Sequence, residues 1–140
     1  MEISKCRSIS ELIDHYLIRK IVFIDEQKVS YEDEFDLAEK EKTPFIVYDL
    51  DKPIGAARIS FNQKYPKIER VCVLKEYRNR GIGKFIMEYL FTYCIKLGFR
   101  EVFIFAQEQA ISFYENLGFI KIGDLFYEAN IPHYKMKKNL

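Results

Sequence analysis

Val71-Cys72-Val73-Leu74-Lys75-Glu76-Tyr77-Arg78-Asn79-Arg80-Gly81-Ile82-Gly83-Lys84 joins three patterns end to end. An apolar, β-branched run closes at Leu74. A charged segment follows, and two glycines one residue apart open an amphipathic run that reaches Leu97. That order reads strand, glycine loop, helix. Gly81 and Gly83 remove side chains where backbone must approach something closely. The first N–H groups of the helix lack intrahelical acceptors and sit at the positive end of its dipole. Arg78, Arg80 and Lys84 add three cations. The physical expectation is a bound phosphate or pyrophosphate.

Three phosphate loops are separable here. A Walker-type loop needs Gly, four residues, then Gly-Lys-Ser/Thr. Phe85 follows Gly83-Lys84, and Arg78 stands at the first position. A dinucleotide fingerprint needs Gly-x-Gly-x-x-Gly, and Ile86 occupies the third glycine's place. The pattern Arg/Gln-x-x-Gly-x-Gly/Ala fits residues 78–83 throughout.

Outward from the loop, residues 67–74 read as a strand and 84–97 as a helix with an apolar stripe at Ile82, Ile86, Tyr89, Leu90, Tyr93 and Leu97. Gly98 fits a helix C-cap. The continuous apolar run Val102–Ala106 fits a buried strand, which completes a βαβ unit with two parallel strands. Upstream, Ser8-Ile9-Ser10-Glu11 is a capping box, and the spacing predicts one helix over 9–26. A short first strand is expected at 3–7. The run 31–42, mostly charged with six acidic residues against two lysines, reads as a solvated face or loop. Residues 45–48 and 54–61 form a hairpin around Asp49–Pro53. Downstream come a short helix at 110–117 and strands at 119–122 and 134–137. The expected fold class is α/β, a central mixed sheet flanked by helices, in a single domain over 1–140.

Composition narrows the function classes. The chain has 140 residues, 49% apolar and 16% aromatic, enough for a substantial core and unlike a disordered segment. Lys+Arg is 22 and Asp+Glu is 21, so no broad basic footprint suggests nucleic acid. No apolar run reaches the roughly 18 residues of a membrane span. The N-terminus lacks a signal peptide's apolar stretch. Cys6, Cys72 and Cys94 form neither a zinc pattern nor a disulfide framework, so no metal is expected and a cytoplasmic setting fits.

A second segment, Ala110-Ile111-Ser112-Phe113-Tyr114-Glu115-Asn116-Leu117-Gly118-Phe119, accompanies the glycine loop at a fitting separation. With both, the chain resembles the GNAT superfamily of acetyl-CoA-dependent N-acyltransferases. The stretches Arg19–Gln27 and Glu128–Met136 resemble its ElaA/YjcF-type branch, whose acceptors are largely undefined. The resemblance implies that the parallel strands splay, that the loop cradles the pyrophosphate of coenzyme A, and that the pantetheine arm pairs with the backbone of strand 67–74. Cofactor contacts are then Val71, Cys72, Val73, Arg78, Asn79, Arg80, Gly81, Ile82, Gly83, Lys84, Gln107 and Tyr114. Gln107 stands where many members carry Asn.

The implied reaction is acetyl transfer from acetyl-CoA to a primary amine of a small molecule or peptide, by direct attack in a ternary complex. Tyr114 matches the tyrosine beside the thioester sulfur, or else is an aromatic packed on the sheet. Glu69 shares a strand face with Val71 and Val73 by alternation, which makes it a candidate base; it can equally pair with Arg58 or Arg70. His133 is a second candidate, since imidazole titrates near neutrality, and an ordered water a third. Glu26 and His133 border the acceptor side. The acidic run could draw in a cationic amine. A non-catalytic CoA-binding or regulatory module of the same fold is the alternative, and a homodimer is a further expectation.

Overall fold

The computed structural model describes residues 1–140. Seven strands form one mixed sheet: β1 (Glu2–Lys5), β2 (Lys42–Asp49), β3 (Lys52–Ser60), β4 (Lys67–Val73), β5 (Glu101–Gln107), β6 (Ile120–Glu128) and β7 (Ile131–Asn139). Their order across the sheet is β1-β2-β3-β4-β5-β7-β6. Only β4 and β5 run parallel; every other neighbouring pair is antiparallel. The expected α/β mixed sheet with flanking helices is the architecture observed.

Helix α1 (Ile9–Arg19) covers one face of β2–β4, with Ile18, Ile46, Ala56, Cys72 and Leu74 buried between them. Its capping box forms: the Glu11 N–H donates to Ser8 Oγ, and the Glu11 carboxylate accepts from the Arg7 N–H. Helix α3 (Ile82–Lys96) covers the other face, where Ile82, Ile86, Met87, Leu90 and Cys94 meet Phe45, Ile59, Ile68, Val102 and Ile104. Full burial of each such apolar side chain contributes about 1.5–3 kcal/mol. Of two short helices, α4 (Ile111–Asn116) follows the C-terminal end of β5, and α2 (Tyr31–Glu34) is tied to the middle of β4 by the Glu34–Arg70 pair.

Three elements depart from expectation. The helix predicted over 9–26 changes winding at Lys20, and Lys20–Glu26 is π-helical. The Gln27 N–H reaches back five residues to Val22 O, at 3.1 Å. β-branched Ile21 and Val22 weaken the preference for α winding, and the wider turn sets Val22 and Phe23 side by side in the core.

The acidic run is solvated only in part: Glu32, Asp33, Asp36 and Glu41 are exposed, whereas Glu34 and Glu39 turn inward. Glu34 is 2% exposed and lies 2.7 Å from Arg19 Nε. Glu39 accepts from Arg19 and from Arg58. Both arginines are essentially fully buried, and a buried cation needs anions beside it. The run supplies them.

The strands expected at 119–122 and 134–137 extend to nine residues each. Gly123 and Asp124 form an irregularity within β6, between Ile122 and Phe126. The true reversal is Ala129-Asn130, both at positive φ.

Candidate active site

The glycine loop begins where β4 ends. After the turn Lys75–Tyr77 the backbone alternates through Asn79 (φ 62°) and Gly81 (φ 78°) before α3 starts at Ile82. Successive N–H groups in such alternation converge on a concavity that suits an anion. The Phe85 N–H is the first of the helix to find an acceptor, Gly81 O, at 3.0 Å. The N–H groups of residues 79–84 have no protein acceptor.

The two glycines serve different ends. Gly81 needs its left-handed conformation, and a Cβ there would meet nothing. A Cβ on Gly83 would lie 3.1 Å from the Phe113 ring, so Gly83 lets α3 close on α4.

Of the three expected cations, Arg78 is already engaged. Its guanidinium forms a bidentate pair with Glu26, at 2.6 and 2.7 Å, and its Nε donates to Val73 O at 2.9 Å. Glu26 is therefore tied through Arg78 to the end of β4 rather than standing free on the acceptor side. Arg80 lies over the Tyr77 ring, and exposed Lys84 is 3.8 Å from Glu88; both lie outside the cleft lining, at the rim.

The parallel strands meet at one register pair, Lys67↔Phe103, and then separate. The separation opens a cleft of about 1070 Å³ between β4, β5, the glycine loop, α4 and the acidic segment. The Leu74 N–H donates to Ile54 O, which by antiparallel alternation turns the N–H and C=O groups of Val71 and Val73 away from β3 and into the opening. Their side chains pack on the α3-side core. Cys72 points the other way into the α1-side core, where burial pushes its thiol up to about 12. It contributes cleft wall and no thiolate.

Tyr114 stands on α4 with its ring edge-on to Phe113 and Phe119. The residue lines the cleft. Burial pushes the phenol up to about 12, so it keeps its proton across the physiological range. Gln107 and Tyr114 do not share a helical face as the spacing suggests. Gln107 closes β5, and a turn at Glu108–Ala110 intervenes. The Gln107 amide donates to Gln27 Oε1 at 2.9 Å and accepts from Gln109 at 2.5 Å. Gln27 is a cleft residue with no local sequence signal to mark it.

The opposite end of the cleft corrects the reading of Glu69. Arg70 sits at φ 58° in a bulge opposite Ala57, and this inserted residue reverses the alternation below it. Glu69 thus faces the α1 side, not the face of Val71 and Val73. Its carboxylate lies 3.0 Å from Lys42, 3.2 Å from Lys67 and 3.3 Å from Arg58. Burial alone would raise its pKa; Arg58, Lys67 and Lys42 together outweigh that and hold it at about 2.

His133 lines the same end, 8% exposed and stacked on Phe126. Its Nδ1 is 2.6 Å from Ile131 O. The Nδ1–H therefore donates there, leaving Nε2 as an acceptor. Glu128 shares the surroundings of His133, and Glu32, Asp33 and Asp36 line the cleft elsewhere, all four without an ion-pair partner. Arg70 is occupied by Glu34 and the carbonyl of Asp33.

A splayed parallel pair beneath an N–H-lined loop defines an acyl-CoA N-acyltransferase fold. The family of acetyltransferase (GNAT) domains matches residues 20–140. The chain is 38% identical to the uncharacterised N-acetyltransferase YjcF of Bacillus subtilis (strain 168) over 130 residues, 92% of this chain and 93% of that one. Escherichia coli ElaA superposes with a TM-score of 0.85 at 24% identity, over 99% of each chain. An aminoglycoside 6'-N-acetyltransferase complexed with coenzyme A gives 0.80 at 15% identity, over 99% of this chain and 97% of that one. The chain belongs to the GNAT acetyltransferases, in their ElaA/YjcF-like branch, and is an acyltransferase.

Proposed function

We propose that the cleft binds acetyl-CoA and that the acetyl group passes directly to a primary amine held at the His133 end. One observation carries this reading: β4 and β5 pair only at Lys67↔Phe103 and part directly below the unpartnered N–H groups of residues 79–84. The pyrophosphate suits those N–H groups, with Arg80 and Lys84 at the rim. The arm suits the main chain of Val71 and the N–H of Val73, the Val73 carbonyl being held by Arg78. The chemistry of the site fits acetyl-CoA without a metal.

In the transfer, the amine nitrogen forms a bond to the thioester carbonyl carbon. A strand N–H, from Val71 or Val73, donates to the oxygen as it gains charge. The C–S bond then breaks, and the nitrogen gives up one proton. Before attack the ammonium form of the amine gives its extra proton to His133 Nε2, the acceptor we assign because Glu69, held at about 2, is too weak a base; the proton lost after attack is the one that ends on coenzyme A. The Tyr114 hydroxyl donates a hydrogen bond to the departing sulfur, and a proton ends on coenzyme A. The unpaired carboxylates Glu32, Asp33, Asp36 and Glu128 favour a cationic acceptor over an acidic one.

The test is release of free thiol from acetyl-CoA across diamines, monoamines, amino acids and peptides. Amine-dependent release, strongest with cationic amines, is the expected result. Tight binding of acetyl-CoA with no release across the whole panel would instead favour the non-catalytic module.

A further inference from the structure

Hydrogen bonds between strands do not close the open end of the β4–β5 splay. A strap from outside the pair crosses it instead. Glu26 ends the π-helical segment and holds Arg78 through both carboxylate oxygens, at 2.6 and 2.7 Å. Arg78 in turn holds Val73 O, the last carbonyl of β4, at 2.9 Å. The next residue, Gln27, accepts from Gln107, the last residue of β5, at 2.9 Å. Gln109 fixes the far side of that amide. One continuous path therefore runs from β4 through Arg78, Glu26, Gln27 and Gln107 to β5. Two consecutive residues grip opposite lips of the opening. The change of winding at Lys20 makes this possible, because the wider turn brings neighbouring side chains closer to one direction.

We infer that Glu26 and Gln27 form a clasp that fixes the width of the splay. They are positioning residues for the thioester, acting through Arg78 and Gln107, and this rests on the acetyl-CoA reading of the cleft. The N–H groups of the loop anchor the pyrophosphate independently of the clasp. Loosening the clasp therefore shifts the reacting carbon while leaving most of the cofactor's binding intact. Such a displacement reads out in kcat rather than in KM for acetyl-CoA.

The two grips lie in series, so breaking either opens the strap. Gln27→Ala and Glu26→Ala should each lower kcat about 10- to 100-fold, with KM for acetyl-CoA changed less than about 3-fold. The double variant should be no slower than the slower single variant, whereas independent roles would multiply. Gln27→Glu keeps an oxygen acceptor for the Gln107 amide and should restore kcat to near wild type. Glu26 is exposed and Gln27 half-buried, so these variants are expected to fold, and thermal unfolding verifies it.

An unchanged kcat in Gln27→Ala, multiplying defects, or a Gln27→Glu variant as slow as Gln27→Ala would each overturn the clasp. A wild-type chain that neither binds acetyl-CoA nor releases thiol with amines would sink the cleft reading and the clasp together. A wild type that turns over, matched by Gln27→Ala, sinks the clasp alone.

Discussion

Replacing Glu69 with glutamine separates an anchoring role from a catalytic one. The substitution removes the anion shared by Arg58, Lys42 and Lys67, whose side chains are 2%, 12% and 12% exposed. The carboxyl sits at about 2 against an ordinary 4.5. That lowering corresponds to about 3 kcal/mol. Removing one partner of a buried ion pair falls in the same range, about 3–5 kcal/mol. In a chain of 140 residues this lowers Tm by about 10 °C.

The sign with pH follows from the depressed value. The stabilisation is present in full above about 4.5 and is lost as pH falls through about 2. Thermal unfolding of wild type and Glu69→Gln at pH 7, 5, 4 and 3 should show a gap that is widest at pH 7 and 5 and narrows below. The amine-dependence of turnover with pH should keep its wild-type shape in the variant. A Tm within about 2 °C of wild type at pH 7 would refute the anchoring role. A turnover defect that fades at high pH would return Glu69 to the position of base.

Three further outcomes follow from the site. Gly83→Val drives a side chain into the Phe113 ring, already 3.1 Å from an ideal Cβ, and should weaken acetyl-CoA binding by calorimetry at least 10-fold by about 1.4 kcal/mol per decade; unchanged affinity would remove the loop–α4 contact from the site. Tyr114→Phe keeps the ring packing and should cut turnover by roughly 10²-fold with acetyl-CoA affinity retained, while the wild type shows no loss from phenol ionisation below about pH 11; a few-fold change would make Tyr114 a packing residue. His133→Gln should lower turnover roughly 10²-fold near neutrality and recover at high pH, where the free amine is already neutral; a defect that is flat with pH would reassign the proton to solvent.

What was legible in the sequence is what depends on neighbours along the chain. The glycine spacing at 81 and 83, the Ser8–Glu11 cap and the apolar run Val102–Ala106 each determine local backbone, and loop, helix start and strand form there, although Glu11 reaches the Arg7 N–H, Gly83 meets Phe113 and only alternate residues of the run are buried. The segment around Tyr114 was legible by resemblance, and its placement on the cleft follows from β5 ending at Gln107.

The rest depends on distant partners. Arg78 looks like a free phosphate ligand until Glu26, far away in sequence, is seen to pair with it. Gln27 gains its place only through Gln107, equally remote. The acidic run is solvated for most of its length, but Glu34 and Glu39 turn inward because their counter-charges, Arg19 and Arg58, lie on other elements. Glu69 shows how a single residue misdirects alternation: the bulge at Arg70 turns it to the opposite face, and no residue type at 70 announces a positive φ.

The most direct measurement is a crystal structure of the chain with coenzyme A. The pyrophosphate should lie against the N–H groups of residues 79–84, and the arm should run between β4 and β5 along Val71 and Val73, with its sulfur beside the Tyr114 hydroxyl. Coenzyme A bound elsewhere, or bound at the loop with its arm outside the splay, would contradict acetyl transfer in this cleft.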